Sequence, residues 1–233
     1  MSLAAELERA LHYPLADQLP APGRAIELAP GVKWLRMTLP FALDHINLWL
    51  LRDRFQGREG WTVVDCCIDR PESRALWQQV FEHELDGLPV LRVIVTHMHP
   101  DHIGLAHWLC ERWSTPEHEC RLWISAADYQ TARYGCEVVN SFGGERLAQY
   151  FRSHGMTDPD DLEQIRHRKS YYRNLVPAVP PSYARLIDGQ QLTIGGQAWH
   201  RPHFAPYGDV EEAGLLHGYS LLDEQKRFRP DWV

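Results

Sequence analysis

The segment Val93-Ile94-Val95-Thr96 runs directly into His97-Met98-His99-Pro100-Asp101-His102, and this junction narrows most sharply what the chain can fold into. A β-rich run that ends in ligand-type side chains delivers them to the edge of a sheet. The strand reads over 91–96, and a second short β-rich run lies upstream over 61–65. Between the two, Leu76, Val80, Phe81 and Leu85 recur at helical spacing, which predicts a helix over 72–85 closed by Gly87. A crossover of that length joins parallel strands. A further helix over 103–113 and a third strand over 121–124 complete an α/β order.

Earlier in the chain, 32–39 and 46–51 read as strands, and 52–60 reads as a polar, hairpin-like loop. From 126 to 176 the pattern turns helical and charged, with Leu147, Tyr150 and Phe151, then Leu162 and Ile165, then Tyr171-Tyr172 on helical periods. That stretch reads as a helical insertion over about 126–180, ended by the prolines of 177–181. Strands return over 184–187 and 191–194 around the turn Asp188-Gly189. No break in composition divides the 233 residues, so one domain over 1–233 is expected.

Charge and composition exclude several partners. A formal net charge of -7 with scattered arginines opposes a nucleic-acid backbone, which is bound by clustered cations. No apolar run approaches the roughly 18 residues a membrane span requires. The first ten residues lack the basic-then-apolar order of a signal peptide, so the cytoplasm is the expected compartment. Cys66, Cys67, Cys110, Cys120 and Cys136 show no Cys-x-x-Cys spacing, and read as reduced, buried thiols.

Chemistry concentrates in the histidine run. His97 and His99 stand two apart in extended backbone, where side chains at i and i+2 point the same way. Pro100 holds His99 extended and starts a new helix, which turns Asp101 and His102 towards the same cavity. Imidazole nitrogens and a carboxylate are the donor set of catalytic zinc and related divalent sites. Asp101 is the candidate catalytic residue, able to orient a nucleophilic water as well as to ligate. No Gly-x-Ser-x-Gly elbow offers a competing serine nucleophile.

The run Thr96-His97-Met98-His99-Pro100-Asp101-His102 resembles the T-H-x-H-x-D-H motif of the metallo-β-lactamase superfamily. Residues 44–51 are similar to that family's N-terminal strand, and Val63-Val64-Asp65 to its strand ending in Asp. The helical stretch 126–176 resembles the cap of a bacterial hydrolase branch. The resemblance implies a four-layer αβ/βα sandwich, here incomplete at its C-terminal end. It implies that His97 and His99 hold one metal, and that Asp101 and His102 hold a second. A later histidine, best matched by His203 with His200 and His217 behind it, would join the first site. Two zinc ions are implied, with iron or manganese as alternatives.

Four departures from the family pattern bear on function. The flanks of His203 do not match, Asp231 is a poor counterpart of the bridging aspartate, and the last histidine has none. Asp65-Cys66-Cys67 stands where the family has Asp-Thr-Gly or Asp-Ser-Gly; Asp65 is expected to buttress the ligand loop, and Cys67 to alter a close approach made by glycine. Tyr134, Tyr171, Tyr172 and Arg173 are candidates to touch substrate or simply to pack, and His45 to line the cleft.

The leading expectation is a hydrolase in which metal-bound hydroxide attacks a small ester, thioester or lactone. The alternative is a truncated or frame-shifted metal-binding remnant, and a redox role with iron is a third reading.

Overall fold

The computed structural model describes Leu15 and residues 18–137, 144–200 and 220–221. Its centre is a seven-stranded sheet whose spatial order follows the chain: β1 (Ala25–Ala29), β2 (Val32–Thr38), β3 (His45–Phe55), β4 (Arg58–Val64), β5 (Val90–Ile94), β6 (Arg121–Ser125) and β7 (Tyr183–Leu186). The first four strands form an antiparallel meander, and β4 to β7 run parallel. The parallel half arises from the crossover helices, α1 (Pro71–His83) between β4 and β5, then α2 (Pro100–Ile103) and α3 (Ala106–Trp113) between β5 and β6.

Alternation along the strands builds two cores. One set of positions, including Leu48, Leu50, Val63, Val93, Val95, Leu122 and Ile124, packs against the helices with Trp77 and Val80 of α1. The intervening set, Leu51, Val64 and Ile94, faces a second sheet of β8 (Gln191–Ile194), β9 (Gln197–His200) and β10 (Ser220–Leu221), through Leu192, Ile194 and Trp199. The α/β class and the stacked sheets agree with expectation. Among the described residues the layers are helix, sheet and sheet, with no helix on the outer face of the second sheet.

Two expectations are corrected. Residues 52–60 are not a loop: β3 continues to Phe55, β4 starts at Arg58, and only Gln56 and Gly57 turn, both at positive φ. The stretch misleads because 54 and 56–59 are exposed, largely polar residues at the hairpin's end, while the buried Asp53 is satisfied by Thr62 of β4 and Arg92 of β5. Nor is 103–113 one helix. The Leu105 amide donates to Cys67 O at 3.0 Å, outside the helical ladder, and α3 starts afresh at Ala106. Gly104 lies so close to Cys67 O, Ile68 and Leu175 O that a Cβ there would come within 2.6–2.7 Å of backbone atoms.

Between β6 and β7 lie α4 (Ala126–Glu137), α5 (Glu145–Ser153), α6 (Pro159–His167), a 3-10 turn (Arg168–Ser170) and α7 (Tyr171–Leu175). Helices α5 and α6 share a small cluster of Ala148, Leu162 and Ile165, while Tyr150 and Phe151 stay exposed. The Asp158 carboxylate caps α6 by accepting from the Asp160 and Asp161 amides.

Candidate metal centre

Parallel strands gather their carboxyl ends at one edge, the usual place for a ligand in an α/β sheet. Asp65 follows β4, the histidine run follows β5, and Ser125 ends β6. The Asp65 amide donates to Ile94 O at 2.9 Å and the Val95 amide to Trp123 O at 2.9 Å, so the sheet ladder fixes where these loops begin.

Asp65 organises the loop. Its Oδ1 accepts from the Thr96 amide at 2.8 Å, and its Oδ2 lies 2.9 Å from Thr96 Oγ1 and 2.8 Å from His102 Nδ1. A carboxylate only accepts, so His102 carries a proton on Nδ1 and, when neutral, a lone pair on Nε2. Thr96 spends its single hydroxyl proton on Asp65. Its oxygen is thereby an acceptor 3.0 Å from His97 Nδ1, which leaves the His97 lone pair on Nε2.

The outward atoms then pair. His97 Nε2 lies 3.0 Å from His99 Nδ1, and His102 Nε2 lies 3.5 Å from Asp101 Oδ2. His99 is extended at φ -62 and ψ 144, and Pro100 opens α2, as the sequence implies. Two nitrogens on one tetrahedral zinc stand about 3.3 Å apart, given bonds of about 2.0–2.1 Å, so the spacing of the first pair fits a shared cation. Burial by itself pushes the His102 imidazole down, but the Asp65 charge, its hydrogen bond and Asp101 outweigh this and raise it.

Among the described residues no group of three or more His, Cys, Asp and Glu side chains gathers closely enough to hold an ion alone. The motif brings together His97, His99, Asp101 and His102 as two donor pairs. His203, His217 and Asp231 lie outside the described residues, and of His200 only the backbone at the end of β9 is described.

Cys67 explains why glycine suits its position. Its φ is +69 and that of Asp65 is +59, both in the left-handed region, yet the turn is kept and the Cys67 carbonyl holds the Leu105 amide. The Cys67 thiol is fully buried, lies 3.4 Å from Ser73 Oγ and is pushed up by burial, as an inert structural thiol is. His45 pairs with Asp44 at 2.6 Å. Tyr134 is exposed, whereas Tyr172 is buried and bonded to the ligand loop. Asp128, which accepts from the Met98 amide, escapes a reading by motif. The spacing Ser125-x-x-Asp128 at a strand-to-helix junction is a capping-box signal that finds it.

Histidine and aspartate pairs thus stand at the carboxyl edge of the parallel strands of an α/β sandwich. Residues 42–134 match the family model of the metallo-beta-lactamase superfamily. A beta-lactamase domain protein from Burkholderia ambifaria is 51% identical with a TM-score of 0.73, over 84% of this chain and 53% of that one. A metallo-beta-lactamase family protein from Thermus thermophilus shares the fold at 22% identity and a TM-score of 0.53, over 75% of this chain and 52% of its own. No curated protein sequence matches significantly. The chain spans about half the length of these two solved structures.

The chain belongs to the metallo-beta-lactamase superfamily, whose members are generally metal-dependent hydrolases that bind divalent metals, often zinc. Among the described residues no helix is long and apolar enough to cross a membrane.

Proposed function

We propose that this chain carries a zinc-dependent hydrolase site in which His97 and His99 hold one ion, Asp101 and His102 hold a second, and the substrate is a small ester, thioester or lactone. The observation that carries the reading is the matched orientation of the donors. The outward atoms of each pair lie 3.0 and 3.5 Å apart, while the inward ring nitrogens of His97 and His102 are held by Thr96 and Asp65. When bound, a divalent ion in such a site lowers the pKa of water and polarises a carbonyl oxygen.

The protein's own residues do the rest. Asp65 and Thr96 fix the ring tautomers, and Asp101, only partly buried, is placed to orient a water beside the reacting carbonyl. Phe41 and Leu43 are exposed in the loop between β2 and β3, and the Phe41 ring meets that of Tyr171 at 6.3 Å. Burial raises the Tyr171 phenol, Arg168 opposes this and the Asp101 charge adds to it, so Tyr171 is a proton donor at neutral pH beside an apolar rim. That rim suits the apolar part of a small acyl substrate. The net charge of -7 disfavours nucleic acid as the substrate.

Elemental analysis of the purified chain, with and without added zinc, tests the ion, and a panel of thioester, lactone and ester substrates tests turnover. Stoichiometric metal, lost in His99→Ala without unfolding, is the expected result. Substoichiometric transition metal that zinc does not raise would overturn the reading, and bound iron in place of zinc would redirect it to redox chemistry.

A further inference from the structure

Met98, the residue between the two histidines, is held by both of its backbone polar groups. Its amide donates to Asp128 Oδ1 at 3.2 Å, and its carbonyl accepts the Tyr172 hydroxyl at 2.6 Å. The amide belongs to the peptide joining His97 to Met98, and the carbonyl to the peptide joining Met98 to His99. The chain bends over 96–98, beyond the end of β5, so the tilt of these two peptide planes, and not a strand period, sets where the side chains of His97 and His99 point. Each plane is pinned by a different helix of the 126–175 stretch, neither by the sheet.

Both pins are themselves fixed. The Asp128 amide donates to Ser125 Oγ at 3.0 Å, and Ser125 Oγ returns a short hydrogen bond to Asp128 Oδ2. The Tyr172 ring lies against Gly135 of α4, where a Cβ would come within 2.6 Å of it. Glycine inside a helix costs about 1 kcal/mol relative to alanine, so α4 gives up helix stability at the point where the ring is seated. Helix α7 is tied back to α4, since the Val176 amide donates to Tyr172 O at 2.8 Å and the Cys136 thiol to Val176 O at 3.1 Å. Burial, with the Cys136 and Asp128 charges behind it, raises the Tyr172 phenol, which keeps its proton and stays a donor.

We propose that Asp128 and Tyr172 are positioning residues for His97 and His99, so that the α4–α7 helix pair sets the affinity of the first metal site. The proposal rests on the metal reading above. It makes α4 and α7 part of the centre's architecture.

The test uses the full chain stripped by a chelator. Zinc affinity is measured by competition with a chromophoric chelator, the visible spectrum of the cobalt-loaded protein reports ligand geometry, and circular dichroism reports folding. Tyr172→Phe and Asp128→Ala are each expected to weaken zinc by about tenfold or more and to shift the cobalt bands. Asp128→Asn keeps an acceptor oxygen for the Met98 amide and is expected to recover most of the affinity. Folded Tyr172→Phe with wild-type affinity and spectrum overturns the proposal, and this single-oxygen change decides it if Asp128→Ala fails to fold. Wild-type protein that takes up no zinc overturns the metal reading itself, whereas tight binding indifferent to both variants overturns the positioning role alone.

Discussion

Asp53 and Asp65 are equally buried, each 3% exposed, and each is bound by a threonine hydroxyl and a nitrogen base, yet they do different work. Asp53 Oδ2 accepts from Thr62 and twice from Arg92, while Oδ1 takes the Arg54 and Gly195 amides. Arg92 also donates to Thr193 O across the sandwich. This cluster clasps β8 and its turn to the main sheet with every partner turned inward. Asp65 instead holds His102, whose second ring nitrogen faces Asp101. Burial and hydrogen-bond count alone do not distinguish the two carboxylates; the partner does, a guanidinium for Asp53 and a titratable imidazole for Asp65.

Breaking the closed network carries the largest expected effect. Asp53→Ala leaves the Arg92 charge buried and unpaired, and is expected to cost about 3–5 kcal/mol in denaturant unfolding, with zinc affinity of the folded protein unchanged. A loss of zinc affinity equal to that of the Asp65 variant would erase the contrast. Asp65→Asn is expected to lower zinc affinity about 10- to 100-fold with a much smaller loss of stability. The new amide presents a donor to His102 Nδ1, which moves the ring proton to Nε2 and removes the outward lone pair. Calorimetric titration checks it, and unchanged affinity would show that Asp65 is structural in the same sense as Asp53.

The smallest effect is expected at Cys67. Cys67→Gly relieves a left-handed residue, worth about 1–2 kcal/mol, but empties the space of a buried thiol of comparable worth. Stability is expected to move by less than about 1 kcal/mol in either direction, with metal affinity retained. A large drop on thermal unfolding would mean that the Ser73 contact, rather than the turn conformation, holds Cys67 in place.

Much of this was legible in the chain. Short β-rich runs and helical spacing marked the strand, helix, strand unit; β4 and β5 are buried on both faces, so they show as continuous apolar runs and the helix as a periodic one. His97 to His102 was readable as a motif from residue types and spacing, and Pro100 opens the next helix as expected, but the chain bends over 96–98 instead of running extended, so strand period does not align His97 with His99. Residues 52–60 misread because most are the exposed polar end of a hairpin, and the one buried carboxylate, Asp53, is satisfied by Arg92 and Gly195, which are remote in sequence. Asp128 and Tyr172 were obscure for the same reason, since each acts on Met98 through a contact that only the fold creates.

By itself the sequence determined the donor residues and the sheet edge on which they stand, because these follow from residue chemistry and from where the β-rich run ends. Only the tertiary structure decided which ring nitrogen of His102 faces outward, which buried aspartate serves the site and which helices hold Met98. Those outcomes depend on hydrogen-bond partners brought together across the sheet, and chain order does not encode them locally.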